Sequence, residues 1–322
     1  MTMDFFEKQV YHEIDNLRRE EIVMRQPFIL SCESTVDLPY SYVSSRGIPV
    51  LFYSYTADEK EYPDDMGRDP DALPAFYKLL ETRIPQTSQL NVWQYVAFFE
   101  PLLEKSDVLH IAFGSGMTNS VTNAFAAATL LKEKYPHRRL EIIDSFCSSS
   151  GYGLLVDCAA DLWDQGKTMD QISQWTRTWC KRVHHQFFST DLKYFRRSGR
   201  VSGAAATVGA ILSICPIMRL NNEGRIIAYD KVRGKEAAIQ RTVKTMEAHA
   251  VGGVDYDKKC FICHSNCLGV AEKLAEAVSS RFPLIPGGPR ICDIGTIIAS
   301  HCGPGTVAVF FFGDERAPGE KG

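Results

Sequence analysis

Short apolar strands alternate with helical segments from Phe28 to Lys167. Helical periodicity covers residues 71–81, 91–105, 121–135 and 150–165. The strands are predicted at Phe28–Ser31, Pro49–Tyr55, Val108–Phe113 and Leu140–Asp144. Strands and helices in alternation favour an α/β fold with a parallel or mostly parallel sheet, covered on both faces. In such a sheet, ligands bind at the carboxyl ends of the strands.

The order of elements changes after Lys167. A helix over 168–183, a helix of small residues over 203–213 and a hairpin turn at Asn221–Gly224 predict an α+β second half. We therefore expect an α/β domain over 28–167, an α+β domain over 168–315 and a solvated tail over 316–322. Residues 1–27 have a helical pattern with one apolar face, which predicts an extension that packs on the body or on a second subunit.

The overall charge excludes several classes of partner. The 322 residues carry a formal net charge of -3, whereas nucleic acids and acidic membrane surfaces are bound by clustered positive charge. No apolar run reaches the roughly 18 residues of a membrane span, and the charged N-terminus does not resemble a signal peptide. These features indicate a cytoplasmic protein, in which the ten cysteines are expected to be small buried hydrophobes.

One turn of the first half has the composition of an anion-binding site. The predicted strand Val108–Phe113 leads into Gly114–Ser120, which is rich in glycine and hydroxyl residues, and a helix is predicted from Val121. Helix starts present unpaired N–H groups and a partial positive charge. Glycines in the turn would let ligand oxygens approach the backbone, and the hydroxyls add donors. The sequence therefore predicts that a small anion binds here.

Nine segments in order resemble the motifs of the DegV family of bacterial fatty-acid-binding proteins. They are Cys32–Pro39, Pro85–Gln89, Gly114–Ala124, Ile143–Ser145 with Ser150–Gly153, Leu192–Arg200, Cys215–Ile217, Lys231–Arg233, His264 and His301–Gly305. The resemblance covers about residues 28–312. It implies a two-domain carrier with no catalytic machinery and no cofactor, which encloses a long-chain fatty acid in a tunnel at the domain junction. It also implies a fatty acid kinase as partner, acyl phosphate as the product made from the presented ligand, and a place in phospholipid metabolism.

The resemblance also implies roles for individual residues. The ligand carboxylate would be held by Thr87, Ser88, Thr118, Asn119 and His301, with Arg200 at the tunnel mouth. Hydroxyl, amide and imidazole donors suit a carboxylate because they bind it without burying an unpaired cation. Asn119 stands where the family has a glycine. Lys231 and Arg233 are the expected kinase contacts, and His264 is assigned a structural role. The expected tunnel wall consists of Phe52, Phe113, Val208, Ile211, Leu212, Ile214 and Phe310.

Two other functions are left open by the sequence. A serine hydrolase acting on a small acyl substrate would use Ser115, or a triad of Asp144, Ser145 and His301, although the glycine spacing around Ser115 does not match a nucleophile elbow. A metal or haem protein would use Cys260, Cys263 and His264, which match the Cys-x-x-Cys-His pattern with Cys267 nearby. Against that reading, alternation along a strand places Cys260 and Cys263 on opposite faces.

Overall fold

The computed structural model describes Arg25 and residues 27–190, 192–202 and 214–318. The predicted N-terminal helix and the predicted helix over 203–213 lie outside these residues. Within the described residues, no helix is both long and apolar enough to span a bilayer.

The first half is built on a four-stranded parallel sheet in the order β2-β1-β6-β7. Its strands are β1 (Phe28–Glu33), β2 (Val50–Leu51), β6 (Asp107–Ala112) and β7 (Leu140–Asp144). Strand β6 is buried from Val108 to Ala112, as expected for a parallel strand with both faces covered. The α/β fold expected from the sequence is confirmed.

A small antiparallel sheet in the order β4-β3-β5 stands beside the parallel one. It consists of β3 (Ser54–Ala57), β4 (Lys60–Pro63) and β5 (Gln86–Thr87). The sequence predicted one continuous strand over 49–55, but the chain leaves the parallel sheet after Leu51. The Tyr53 backbone N–H donates to Ser34 Oγ at 3.1 Å rather than to a strand neighbour. This turn starts the second sheet.

The second half is built on a seven-stranded mixed sheet in the order β13-β12-β14-β8-β10-β11-β9. Its pairs are antiparallel except for β12 with β13 and β9 with β11. The strands are β8 (Val183–Ser189), β9 (Val201–Ser202), β10 (Ile214–Leu220), β11 (Ile226–Arg233), β12 (Phe261–His264), β13 (Arg290–Asp293) and β14 (Thr306–Phe312). The predicted hairpin joins β10 and β11.

The described helices cover the sheets and join the two halves. They are α1 (Tyr40–Ser45), α2 (Ala72–Leu80), α3 (Val92–Leu103), α4 (Ser120–Lys134), α5 (Ser149–Asp164), α6 (Met169–Trp179), α7 (Lys193–Ser198), α8 (Lys235–His249), α9 (Leu268–Arg281) and α10 (Thr296–Cys302). Helix α5 contacts β1 of the first sheet and β8, β12 and β14 of the second. Most of its residues are buried because it has a sheet on both sides.

Two predictions of element boundaries were wrong. The helix expected over 168–183 ends at Trp179, and after a short 3-10 turn the chain enters β8. Arg316, expected in a solvated tail, is only 3% exposed. Its guanidinium donates to the backbone carbonyls of Phe146 and Val183 at 2.8 Å each. The chain therefore remains packed beyond the last strand.

Candidate functional site

A cavity of ≈ 480 Å³, here called the polar cavity, lies where the two halves meet. All the residues expected to hold a carboxylate line it, as does Arg200. These residues are Thr87, Ser88, Thr118, Asn119 and His301. They come from the end of β5, the turn before α4 and the last turn of α10. Ser88, Asn119 and Arg200 are exposed, whereas Thr87, Thr118 and His301 are partly buried.

Thr87 and His301 line the polar cavity from opposite halves of the chain. Thr87 Oγ1 lies 2.8 Å from His301 Nε2, so a hydrogen bond joins the two halves. Burial, followed by the charges of Arg200 and Arg197, lowers the pKa of His301 to about 4. The imidazole is therefore neutral at neutral pH, and it pairs with a hydroxyl without adding a buried cation.

The turn before α4 also contributes hydroxyl groups. Thr118 Oγ1 accepts from the Ser120 backbone N–H at 3.2 Å and lies 2.9 Å from Ser120 Oγ. Ser120 Oγ in turn accepts from the Leu90 backbone N–H at 3.1 Å. The exposed Asn119 is the N-cap residue of α4 and has φ -87°, so this position needs no glycine for its backbone conformation. Its amide is free of a capping bond.

The two glycines of this turn allow close packing between segments. A Cβ on Gly114 would lie 2.7 Å from the backbone nitrogen of Cys147. A Cβ on Gly116 would lie 2.3 Å from the backbone carbonyl carbon of Gly224, in the hairpin turn of the second half. The approach of Gly116 brings the turn against the second half, whereas that of Gly114 packs it within the first half.

The charge of the polar cavity suits an anion. Arg200 and Arg225 both line it, and none of its described lining residues is acidic. The Arg200 guanidinium donates to the backbone carbonyl of Ser198, which fixes one side of the guanidinium group. Arginine pairs well with carboxylate and phosphate oxygens.

A second space of ≈ 60 Å³, here called the apolar cavity, adjoins the first. Met117, Ser148, Phe195, Ile226, Ile298 and Cys302 line both. The floor of the apolar cavity is one face of the seven-stranded sheet, with Phe187 from β8 and Ala308 and Phe310 from β14. A polar opening followed by an apolar interior suits a ligand with a charged head and a hydrocarbon tail.

The residues expected in the tunnel wall lie in different places. Phe113 lines the polar cavity and Phe310 the apolar one. Ile214 and Phe52 line neither, and the Phe52 ring instead packs against Tyr40 and beneath the Arg68 guanidinium. Val208, Ile211 and Leu212 lie outside the described residues.

Sequence reasoning missed several residues that line the apolar cavity. Thr306 and Ala308 share the face of β14 that carries Phe310, because side chains two apart on a strand point the same way. Phe187 lies on the same face of the sheet because it is paired with Ala308. Applying that alternation to β14 would have found Thr306 and Ala308. Nothing in the local pattern points to Phe195 or Ile298, which come from helices α7 and α10.

A buried carboxylate, Glu33, accepts hydrogen bonds from two residues of the polar cavity wall. Glu33 is fully buried and accepts from Tyr53 Oη at 3.2 Å and from the Phe113 backbone N–H at 2.9 Å. Tyr95 Oη also donates to it, and His110 Nε2 lies 3.3 Å away. Burial and the nearby Glu33 charge raise the pKa of Tyr53 well above its usual value, so Tyr53 stays a donor. Because Tyr53 and Phe113 line the polar cavity, this network fixes part of its wall.

The residues of the hydrolase alternative do not assemble into a triad. Ser145 is fully buried, and its hydroxyl accepts from the Cys147 backbone N–H at 3.1 Å. Asp144 Oδ1 accepts from the backbone N–H groups of Ser115 and Phe146 rather than from an imidazole. His301 pairs with Thr87, and its lowered pKa makes it a poor general base.

The thiols of the metal or haem alternative are separated and buried. Cys260 and Cys263 are 1% and 0% exposed, and burial raises the pKa of both thiols. In the described part of the chain, Cys260, Cys263 and His264 do not bring three ligand atoms together. Reactive or metal-binding thiols need a lowered pKa and access, which neither thiol has.

A larger cavity, of ≈ 850 Å³, has six carboxylates among its described lining residues and is here called the acidic cavity. Asp37 and Asp64 lie at its base, where Asp37 Oδ1 accepts from the Gly295 backbone N–H at 3.0 Å and Asp64 Oδ1 from Thr296 Oγ1 at 2.9 Å. His264 lines the same cavity. The end of the opening motif, Asp37–Pro39, and His264 therefore border this space rather than the polar cavity.

Comparison with known proteins agrees with the resemblance seen in the sequence. A family model described as "Uncharacterised protein, DegV family COG1307" matches residues 30–314. A DegV domain-containing protein of Clostridium perfringens is 34% identical over 294 residues, which are 90% of this chain and 99% of the relative. A DegV domain-containing protein of Clostridium acetobutylicum is 28% identical over 289 residues, 88% of this chain and 97% of the relative.

Solved structures share the fold. A fatty-acid-binding DegV family protein from Thermus thermophilus superposes with a TM-score of 0.78 at 24% identity, covering 89% of this chain and 100% of that one. DegV from Bacillus subtilis, a fatty acid binding protein, superposes with a TM-score of 0.75 at 23% identity, covering 89% and 99%.

Proposed function

The chain belongs to the DegV family, and from that premise we propose that it binds a long-chain fatty acid with its carboxylate in the polar cavity. One observation carries the proposal: the donors Thr87, Thr118 and His301, from distant parts of the chain, line one cavity that has two arginines and no acidic residue among its described lining residues. This cavity shares walls with an apolar one. Solved relatives from Thermus thermophilus and Bacillus subtilis are described as fatty-acid-binding proteins.

The donors divide into a partly buried set and an exposed set. Thr87, Thr118 and His301 would hold the carboxylate oxygens, each with a hydrogen bond to a charged acceptor worth about 1.5–3 kcal/mol. Arg200 and Arg225 would supply the compensating positive charge. Ser88 and Asn119, which are exposed, would cover the carboxylate from the rim.

The tail requires the apolar cavity to widen. A space of ≈ 60 Å³ is far smaller than the roughly 300–1,000 Å³ of ordinary ligand pockets. Met117 and Phe195 form part of the wall between the two cavities, and methionine adapts readily to new packing. Each buried methylene of the ligand returns about 0.8 kcal/mol, which offsets the cost of moving these side chains.

We further propose that the protein is a non-catalytic carrier that presents its ligand to an ATP-dependent fatty acid kinase. Lys231 and Arg233 are exposed and two apart on β11, so they project from the same face of the strand. Ile226, at the start of that strand, lines the polar cavity. A double Lys231→Glu, Arg233→Glu variant should bind oleate as the wild type does but should slow acyl phosphate formation by the kinase. An unchanged rate would show that Lys231 and Arg233 do not contribute to the contact with the kinase.

The binding proposal is tested on the delipidated full-length protein. Oleate should raise the Tm, whereas methyl oleate, which lacks the negative charge, should bind at least about 10-fold more weakly because charged hydrogen bonds are lost. Thr87→Val should weaken oleate binding about 10-fold, and the exposed Thr82→Val should leave it unchanged. Absence of fatty acid from organic extracts of the purified protein, together with no oleate-induced shift, would refute the proposal.

A further inference from the structure

Two histidines and an aspartate meet where the central strand β8 begins and its neighbour β14 ends. His184 Nε2 lies 2.9 Å from Asp314 Oδ1, and His249 Nδ1 lies 3.1 Å from Asp314 Oδ2. All three ligand atoms lie within 4.8 Å of one another. None of these residues lines the polar or the apolar cavity. We propose that His184, His249 and Asp314 bind a divalent transition-metal ion of the zinc class.

The three side chains come from separate elements that backbone hydrogen bonds hold together. His184 is in β8, His249 ends α8 and Asp314 follows β14. The Asp314 backbone N–H donates to the His249 carbonyl at 3.0 Å, and the Gly313 N–H donates to the Arg182 carbonyl at 2.8 Å. The site is therefore arranged before any ion binds, which lowers the entropy cost of binding.

Gly313 is required at the point where these elements meet. A Cβ there would lie 2.4 Å from the His249 carbonyl oxygen and 2.7 Å from His184 Cδ2. The absence of a side chain at this position lets the strand end, the helix end and the imidazole come together. The same close approach places Asp314 within reach of both rings.

The donor set selects the class of ion. Two imidazole nitrogens with one carboxylate suit zinc and its neighbours, whereas calcium and magnesium prefer oxygen ligands. Ligand atoms about 2.0–2.1 Å from a tetrahedral ion are themselves roughly 3.3 Å apart, close to the nitrogen–oxygen separations here. The Asp314 side chain is 60% exposed, so water completes the coordination.

The fixed orientation of the His184 ring suits a metal ligand. Its ring stacks on Phe311 and on His249, with centroids 5.1 Å apart in each case, which limits its rotation. His184 Nε2 also lies 3.0 Å from the Asp314 carbonyl oxygen, and a bound ion would replace that hydrogen bond.

The proposal is tested by titrating chelator-treated full-length protein with Zn²⁺ in a calorimeter. One ion should bind per chain, and Asp314→Asn should weaken binding at least about 10-fold. Asp293→Asn is the matched control, because Asp293 is also an exposed carboxylate beside a single histidine, with Oδ1 3.5 Å from His264 Nε2; it should bind Zn²⁺ as the wild type does. If Asp314→Asn fails to fold, the half-exposed His249→Gln replaces it.

X-ray absorption of the Zn²⁺ complex distinguishes this site from the thiols. Only nitrogen or oxygen neighbours near 2.0–2.1 Å are expected, whereas a sulfur neighbour near 2.3 Å would place the ion on cysteine and overturn the assignment. Absence of Zn²⁺ binding, or equal binding by the wild type and the Asp314→Asn variant, would show that the three residues form an ordinary hydrogen-bonded cluster only.

Discussion

The polar cavity and the acidic cavity are both lined by residues from the family motifs, but they have opposite charge. The acidic cavity is larger than the polar cavity, ≈ 850 Å³ against ≈ 480 Å³. Its described lining residues include six carboxylates and one lysine, Lys78. The polar cavity has Arg200 and Arg225 and no described carboxylate. Size alone would favour the acidic cavity as a ligand site, whereas the sign of the lining charge favours the polar cavity for an anion.

Matched asparagine-to-aspartate changes give the strongest test of that contrast. Asn119 lines the polar cavity and Asn266 the acidic one. Asn119→Asp puts a negative charge beside the expected carboxylate, and like charges about 4 Å apart near a protein surface repel by roughly 4 kcal/mol. We expect oleate affinity to fall by up to about 1,000-fold in Asn119→Asp and to stay unchanged in Asn266→Asp, as measured by calorimetry.

The opposite result for these two variants would contradict the assignment of the carboxylate to the polar cavity. Asn266 has φ 50°, a conformation that aspartate also tolerates, so Asn266→Asp should fold normally. A loss of oleate affinity in Asn266→Asp alone would move the carboxylate to the acidic cavity.

The two cavities should also respond to pH with opposite signs. The pKa of His301 is lowered to about 4, chiefly by burial, so the unfolded chain binds more protons between pH 4 and 6.5 and this residue makes stability fall with acidification. The pKa of Asp64 is raised to about 6, also chiefly by burial, so the folded chain binds more protons between pH 3.8 and 6. Asp64 therefore makes stability fall as pH rises through that window.

Urea unfolding of His301→Gln and Asp64→Asn across pH 4–7 measures these opposite slopes. Relative to the wild type, His301→Gln should gain stability as the pH is lowered and Asp64→Asn should gain stability as it is raised, each by up to about 3 kcal/mol. Parallel curves for the wild type and both variants would show that neither group titrates as the structure indicates.

Substitution of the two phenylalanines expected in the tunnel wall should have different, smaller effects on the preferred length of the fatty acid. Phe310 lines the apolar cavity, whereas Phe52 packs against Tyr40 and Arg68. Phe310→Leu enlarges the cavity and should favour a fatty acid about one methylene longer, a change of about 0.8 kcal/mol or roughly 4-fold in relative affinity. Phe52→Leu should leave the order of affinities unchanged in a competition assay with fatty acids of different length. Equal shifts in both variants would contradict this placement of the tail.

Much of the fold could be predicted because its signals are local. The boundaries of β7 match the prediction from apolar periodicity, and those of β6 and α3 lie within two residues of it. Short elements with weak patterns were missed, such as β4 (Lys60–Pro63) and α10 (Thr296–Cys302), because their formation depends on packing against distant segments. The burial of Arg316 was missed for the same reason, since its partners are the carbonyls of Phe146 and Val183.

The sequence by itself determined the chemistry available to this protein: hydroxyl, imidazole and arginine donors in nine ordered motifs, and strands and helices that form an α/β fold. Only the tertiary structure decided which of these groups share a cavity. Thr87 meets His301 across 214 positions, while Asp37 and His264 border a different space. Periodicity fixes which face of a strand or helix is buried, but the meeting of distant segments depends on how sheets and helices pack, which no local pattern specifies.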